Sequence, residues 1–190
     1  MKLLEDRIRK DGVVKAGGIL KVDSFFNHQM DAALLNELGK ELAREFADAH
    51  VDKVLTVEAS GIAMACFAGL ALNVPVLFAK KSKSKNISDD VYSAEVVSFT
   101  HGNTNNVVVS KQYLHEGERV LLVDDFLATG AALVGLRELV RQAGGEVVGA
   151  GIGIEKVFQG GGNRLREEGM RIVSLAMIDS MDDEGNISFC

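Results

Sequence analysis

The stretch that decides the fold is residues 120–132, Val-Leu-Leu-Val-Asp-Asp-Phe-Leu-Ala-Thr-Gly-Ala-Ala. Residues 119–123 form a short leucine and β-branched run that ends at two aspartates, which predicts a strand buried on both faces. Apolar residues then recur at helical spacing from Ala131 until Gly144 and Gly145 stop them. This order of strand, acidic pair, small-residue loop and helix is typical of open α/β sheets, which bind ligands beyond the carboxyl ends of their strands.

The residue types of the loop indicate its chemistry. Residues 128–131 carry almost no bulk, so their N–H groups can close around a phosphate at the positive end of the following helix. Asp124 and Asp125 suit neutral donors such as two adjacent sugar hydroxyls, or a bound Mg²⁺. A phosphate and a diol held together describe a ribose 5-phosphate. The alternative is a purely structural βα turn.

A second unit of the same kind precedes the first. Residues 53–57 predict a strand, and Glu58-Ala59-Ser60-Gly61 turns into a small-residue helix over 62–72, which offers a second anion site. Residues 74–79 predict another strand. Four lysines follow this strand in an acidic protein: Lys80, Lys81, Lys83 and Lys85. They either bind a polyphosphate or form a solvated face.

Two aromatic-bearing segments are candidates for binding a flat ring. After a short strand over 19–22, the run Phe25-Phe26-Asn27-His28-Gln29 either walls an aromatic ligand or places both phenylalanines in the core. Near the carboxyl end of a strand over 146–154, Lys156 can donate to a base carbonyl, or can be a surface lysine beside a core phenylalanine. Strand-like runs over 91–98 and 107–110 predict a hairpin flap that closes over a site.

The other elements follow from periodicity. Helices are expected from Leu3 to Gly12, over 31–50 and over 163–168, a last strand over 171–177, and a turn at 182–184. Gly149, Gly151 and Gly153 lie inside a strand with no helix directly after them, so they are not a dinucleotide fingerprint. The expected fold class is α/β, with a mostly parallel central sheet, helices on both faces, a flap and a small hood.

Composition narrows the function classes. The 190 residues, 47% hydrophobic and 25% charged, indicate one domain over 1–190. A net charge of −6 argues against nucleic-acid binding. Cys66 lies in an apolar helix that should raise its pKa, and with Cys190 it makes only two cysteines, which fits a reducing cytoplasm. The charged start is unlike a signal peptide, no run is long enough to span a membrane, and the scattered histidines make a zinc site implausible.

The acidic pair, the small residue and Thr129-Gly130 resemble the phosphoribosyl pyrophosphate (PRPP) fingerprint of the type I phosphoribosyltransferase family, nearest to its bacterial xanthine-specific branch. The chain departs from the family pattern at Ala128 and Ala132, where hydroxyl residues are usual. The resemblance implies that Asp124 and Asp125 hold the ribose and catalyse transfer, while the 5-phosphate lies on Ala128, Thr129, Gly130, Ala131 and Ala132.

The same resemblance implies the remaining subsites. Residues 1–30 would contribute the hood over the purine, with Leu20, Asn27 and Lys156 contacting the base. Pyrophosphate would lie on Ala59, Ser60 and Gly61, with the lysines Lys80 and Lys81. Lys80 would reach across a homodimer, and Mg²⁺ would bind mainly through the substrate.

The expected function is transfer of ribose 5-phosphate from PRPP to xanthine in purine salvage, giving XMP and pyrophosphate. One alternative is an enzyme for guanine and hypoxanthine, or for adenine. Another is a PRPP-sensing regulatory domain without catalysis, like that of purine repressors. Against this second alternative, only about ten residues precede the sheet domain, which leaves no room for a DNA-binding module.

Overall fold

The computed structural model describes residues 1–81, 90–98, 103–182 and 184–190. Its helices are α1 (Lys2–Asp11), α2 (Ala32–Glu45), α3 (Gly61–Leu72), α4 (Ala131–Ala143) and α5 (Gly161–Glu167). Its strands are β1 (Val13–Lys15), β2 (Ile19–Lys21), β3 (Lys53–Val57), β4 (Val76–Ala79), β5 (Val91–Ser98), β6 (Asn103–Ser110), β7 (Arg119–Leu127), β8 (Glu146–Lys156), β9 (Ile172–Met181) and β10 (Ile187–Phe189).

The central sheet has six strands in the order β10-β9-β8-β7-β3-β4. All neighbours pair in parallel except β10, which runs antiparallel to β9. The mostly parallel α/β sheet predicted from the sequence is therefore confirmed. Because β4, β3, β7 and β8 are adjacent and parallel, the loops that follow them gather at one edge of the sheet.

Two hydrophobic clusters cover the two faces of the sheet. One contains the apolar sides of α1, α2 and α3, including Leu4, Leu38 and Met64. The other contains the apolar side of α4, with Leu133, Leu136 and Leu139. Helices on both faces explain why β7 and β8 read as continuous apolar runs.

Two hairpins lie outside the central sheet. The first, within the hood, pairs β1 with β2 and leads into a π-helical turn, Asp23–Asn27. The second pairs β5 with β6 antiparallel, with Val91 opposite Ser110. It confirms the predicted hairpin, although its second strand begins at Asn103 rather than at 107. Residues 99–102, between the two strands, lie outside the described residues.

Several predicted boundaries were wrong. β7 does not stop before the aspartates but runs through them to Leu127. α2 ends at Glu45, well before His50. The strand predicted over 171–177 continues to Met181, and it is not the last, since β10 follows. A turn does form at Asp182, whose carbonyl accepts from the Gly185 N–H at 3.2 Å.

Among the described residues, no helix has both the length and the apolar character needed to cross a bilayer. Cys66, expected to be desolvated within α3, is exposed, and so is Cys190. The expected desolvation of Cys66 is therefore not found, because α3 turns this side chain to the surface.

Candidate active site

A cleft of about 630 Å³ opens where the carboxyl ends of the parallel strands meet. It is lined from the hood by Gly17, Gly18 and Ile19, from the β3 end by Val57, Glu58 and Ser60, and beyond β4 by Lys81. From β7 and the loop after it come Asp124, Asp125, Phe126, Leu127, Ala128, Thr129, Gly130, Ala131 and Ala132, and from the β8 end Lys156 and Gln159. Segments as far apart in the sequence as Gly17 and Gln159 thus share one cavity.

Asp125 is held on both of its oxygens. The Ser60 hydroxyl donates to Oδ1 at 3.0 Å, and the Asn27 side-chain amide donates to Oδ2 at 3.1 Å. Asp125 is only 6% exposed, and so is Asp124, so the acidic pair is buried at the edge of the sheet. Asp125 therefore accepts from neutral donors, which is the chemistry that sugar hydroxyls would offer.

Asp124 lies beside it in a different electrostatic state. Burial, followed by the negative charge of Asp125, raises the pKa of Asp124 well above its ordinary value. Its Oδ1 accepts the Asp125 backbone N–H at 3.0 Å. Two adjacent carboxyls with little solvent cannot both ionise freely, so Asp124 holds its proton more tightly than an exposed aspartate does.

Asp124→Asn is expected to raise the melting temperature at pH 7. A raised folded-state pKa means that this group favours folding most below its unfolded pKa of about 4, and that the contribution is lost as pH rises. Asparagine keeps the acceptor and removes the charge. Each 1 kcal/mol gained would raise Tm by about 2–4 °C. Calorimetry from pH 3 to 8 should show the gain shrinking as the pH falls toward about 4 and disappearing below it, and a gain independent of pH would contradict the assignment.

A matched control is Asp182→Asn. Asp182 is an exposed aspartate whose pKa is lowered, first by the hydrogen bond from the Asn186 side chain. The same substitution there should not raise Tm at pH 7, because it removes a carboxylate that the folded state stabilises.

The predicted phosphate loop lies at the amino end of α4. No side chain caps this helix, and its N-cap is Gly130. The first N–H groups of an α-helix have no partner within the helix, and they carry the positive end of its dipole. Residues 128–132 all line the cleft, so this end of α4 offers unpaired donors to an anion.

The second predicted anion site lies at the amino end of α3. Ser60 is the N-cap, yet its side chain does not cap the helix because it donates to Asp125 instead. Ala59 and Gly61 flank Ser60 but do not line the cleft. The peptide bond between Glu58 and Ala59 is cis.

The lysine run divides between two cavities. Lys81 lines the cleft, and its backbone N–H donates to Glu58 Oε1 at 2.7 Å. Lys80 instead lines a separate groove of about 610 Å³ beside the edge strand β4, together with Phe78 and Tyr113. Lys83 and Lys85 lie outside the described residues. Of the two lysines in this run that the structure describes, only Lys81 lines the cleft with the acidic pair of its own chain.

At the other end of the cleft, Lys156 lies near the hood. Its Nζ donates to the Gly18 carbonyl at 2.9 Å and lies 5.6 Å from the centre of the Phe126 ring. Burial lowers the pKa of the Lys156 ammonium. A cation and an aromatic face close together in a cleft can hold a flat ring that carries a carbonyl oxygen.

The other predicted base contacts are placed differently. Leu20 is 6% exposed and does not line the cleft, whereas its neighbour Ile19 does. Asn27 reaches the site through Asp125. Phe25 and Phe26 are buried among the core residues, so of the two readings of this segment the core reading is correct.

Among the cleft-lining residues that sequence reasoning missed are Glu58, Phe126 and Gln159. Glu58 and Phe126 each adjoin a motif that was singled out, so adjacency to a strand end was the available signal. Gln159 lies in a 3₁₀ turn after β8, and no pattern in the sequence marks it.

Comparison with known proteins agrees with this geometry. The chain is 58% identical over 183 residues to a xanthine phosphoribosyltransferase of Alkaliphilus metalliredigens, covering 96% of this chain and 91% of the relative. It is 54% identical over 190 residues to the xanthine phosphoribosyltransferase of Lachnoclostridium phytofermentans, covering 100% and 98%.

Solved structures share the architecture. The adenine phosphoribosyltransferase of Rhodothermus marinus superposes with a TM-score of 0.75 at 19% identity, covering 93% of this chain and 99% of that one, which shows the fold alone. The phosphoribosyl transferase domain family matches residues 21–168, which include the acidic pair, both anion sites and Lys156. The chain therefore belongs to the phosphoribosyl transferase domain family.

Proposed function

We propose that this chain transfers the 5-phosphoribosyl group of PRPP to xanthine, giving XMP and pyrophosphate in purine salvage. The observation that carries the proposal is the meeting of two uncapped helix ends and an acidic pair in one cleft. PRPP carries one phosphate, one pyrophosphate and a diol between them, which matches these three features in kind. The similarity to the two xanthine phosphoribosyltransferases extends over nearly the whole length of those proteins.

The subsites follow from the donors and acceptors. The 5-phosphate would bind residues 128–132 at the amino end of α4. The ribose hydroxyls would donate to Asp125, taking the place of Ser60 and Asn27, and Asp124 would complete the diol site. Ser60, set free from Asp125, would then join Lys81 in binding pyrophosphate at the amino end of α3.

The departures at Ala128 and Ala132 remove two hydroxyls from the phosphate subsite. Backbone N–H groups remain at these positions, and Thr129 still supplies one hydroxyl. The proposal therefore assigns phosphate binding mainly to main-chain donors, which bind anions without any particular side chain.

The reaction breaks the bond between ribose C1 and a pyrophosphate oxygen and forms one from C1 to a purine nitrogen, whose proton leaves. The sugar gains cationic character in between. The chain's residues would act by holding the two reactants in line, by placing carboxyl groups near the ribose and by keeping out water. A covalent intermediate on the protein is not needed.

Mg²⁺ fits this site as a partner of the substrate. In the described part of the chain, no group of three or more His, Cys, Asp or Glu side chains could hold a metal. Two carboxyls and the oxygens of PRPP are the hard ligands that Mg²⁺ prefers, and it usually binds through few carboxylates plus phosphates. When bound, Mg²⁺ would neutralise charge that builds on pyrophosphate.

One assay tests the function against its rivals. The protein is incubated with PRPP, Mg²⁺ and one base at a time, namely xanthine, guanine, hypoxanthine or adenine, and pyrophosphate release is measured. The highest kcat/KM is expected for xanthine. Faster release with another base would assign that base instead, and PRPP binding without release would indicate a regulatory domain.

The position of Lys80 leads to a prediction about the oligomer. Because Lys80 lines a groove outside its own cleft, we infer that it serves the cleft of a second copy in a homodimer. Lys80→Ala and Asp125→Ala should each be poor enzymes but should recover activity when mixed. Half of randomly re-paired dimers are hybrids with one intact site, so roughly a quarter of wild-type activity should return.

The matched control replaces Lys80→Ala with Lys81→Ala. Lys81 lines the cleft of its own chain, so this mixture should recover nothing. Subunit exchange is verified with differently tagged copies. Equal recovery from both mixtures, or none from the Lys80 mixture after proven exchange, would contradict a shared site.

We further infer that residues 1–190 act as one domain in the cytoplasm, where a substrate such as PRPP and reduced cysteines are both expected.

A further inference from the structure

Helix α5 contacts the back of the phosphate loop through two loop carbonyls. The Gly161 N–H donates to the Ala128 carbonyl at 3.1 Å, and Arg164 Nη2 donates to the Thr129 carbonyl at 3.1 Å. Two successive peptide oxygens of the loop are thus directed toward α5.

Because the peptide unit is rigid, the contact between α5 and the loop carbonyls also orients the N–H groups of the loop. A trans peptide unit is planar, so its C=O and N–H point in opposite directions. Because the carbonyls of Ala128 and Thr129 face α5, the N–H groups of Thr129 and Gly130 face away from it. These are the donors that the proposed 5-phosphate site would use.

The approach of α5 is close and depends on glycine at its first residue. A Cβ at Gly161 would lie 2.3 Å from the Ala128 carbonyl oxygen and 2.6 Å from the Gly130 nitrogen. No side chain fits at that distance, so the backbone of α5 itself rests on the loop.

A buried ion pair fixes α5 to the sheet. Arg166 donates to both oxygens of Glu155 at 2.7 and 2.6 Å, and the Ser174 hydroxyl also donates to Glu155. The Glu155 side chain is 1% exposed. Burial alone would raise the pKa of Glu155, but the hydrogen bonds from Arg166 and Ser174 outweigh it and lower the pKa. The carboxylate on β8 therefore stays charged and holds α5 in a single place.

We propose that α5 positions the phosphate loop and that Arg164 is its positioning residue, acting on PRPP through the Thr129 carbonyl rather than by touching the substrate. The proposal rests on the proposed function, since it takes residues 128–132 as the 5-phosphate site. Glu155 and Arg166 form the anchor of the helix, and Gly161 and Arg164 form its contact with the loop.

The test is Arg164→Met, with Arg137→Met as its matched control. Both arginines pair with Glu168, at 3.0 and 2.9 Å, but only Arg164 holds the loop. Arg164 is about half exposed, so its loss should leave the fold intact, whereas Arg166→Met would leave Glu155 buried and unpaired. KM for PRPP and Kd for ribose 5-phosphate are expected to rise about tenfold in Arg164→Met.

Other constants should stay near those of the wild type. KM for xanthine and Kd for pyrophosphate should change less than about twofold in Arg164→Met, and all four constants less than that in Arg137→Met. Arg164→Lys separates position from charge, because one ammonium cannot join Thr129 to Glu168 as the guanidinium does. Arg164→Lys should therefore retain most of the rise in KM for PRPP. A full return to wild-type KM with lysine, or equal losses in the two methionine variants, would overturn the proposal.

A spectroscopic readout separates this inference from the function on which it rests. In ¹⁵N-labelled wild-type protein, ribose 5-phosphate should shift the amide signals of Thr129 and Gly130, and Arg164→Met should weaken that response. A wild-type response at the loop that Arg164→Met leaves unchanged would overturn the positioning role alone. No wild-type response at the loop would overturn the phosphate site and the positioning role together.

Discussion

Asp125→Ala is expected to lower kcat about ten- to two-hundredfold at saturating PRPP and xanthine, because a hydrogen bond to a charged group is worth about 1.5–3 kcal/mol. The carboxylate accepts from Ser60 and Asn27 in this structure. It would accept from the ribose hydroxyls during transfer. Steady-state assays of pyrophosphate release measure the loss, and circular dichroism monitors the fold.

The control for this variant is Asp23→Ala. Asp23 belongs to the hood, pairs with Lys21 at 2.9 Å and lies outside the cleft lining. Its replacement should leave kcat within about twofold of the wild type, as for a surface substitution. If the two variants lost equal activity, or if Asp125→Ala kept near-normal turnover, the ribose-binding role would fail.

Lys156→Met is expected to reduce kcat/KM for xanthine by about ten- to two-hundredfold, because the base carbonyl would lose its buried, charged hydrogen-bond donor. Methionine keeps most of the length of the side chain, so the wall of the cleft should persist. KM for PRPP should change little, since Lys156 lies at the hood end, away from the two anion sites. Lys21→Met, an exposed lysine of the same hood, is the matched control.

The loss could also arise indirectly, because Lys156 ties the hood to β8 through the Gly18 carbonyl. An analogue that lacks the C6 oxygen, 2-hydroxypurine, distinguishes the two causes. Wild-type protein should prefer xanthine to this analogue by about tenfold or more, and Lys156→Met should lose that preference. An unchanged preference would show that Lys156 does not read the C6 carbonyl.

The structure also changes what Asn27 can be expected to do. The family resemblance implies that Asn27 contacts the base. Its NH₂ instead donates to Asp125, 98 residues away. A carboxylate at position 27 would therefore face another carboxylate, so the effect of such a change on base choice would be mixed with an effect on ribose binding.

Periodicity predicted the parallel sheet and its layers, because β3, β7 and β8 are buried on both faces and α2 and α4 have one apolar side. It failed where local preference and tertiary structure disagree. Aspartates disfavour strands, yet β7 runs through both because Asp124 and Phe126 pair with Ile152 and Ile154 of β8. The apolar pattern of α2 extends to Phe46, which stays in the core after the helix has ended.

Other features left no local signal. β10 has three residues and a register shift, too short for an alternating pattern to be visible. The loops of the site were recognised by their small residues and their place after strands. The contacts among them were not, since Ser60, Asn27 and Asp125 meet only through the order of the strands.

The glycines of β8 have a consequence for how such a site can change. Phe26, the residue before Asn27, rests on Gly153, where a Cβ would lie 2.5 Å from the Phe26 ring and 2.8 Å from the Asp125 carbonyl oxygen. The distance between the hood and the acidic pair thus depends on Gly153 having a hydrogen atom where any other residue would have a Cβ. Gly153 does not itself line the cleft, so we expect a larger residue at this core position to displace the hood and alter substrate choice without changing the lining residues.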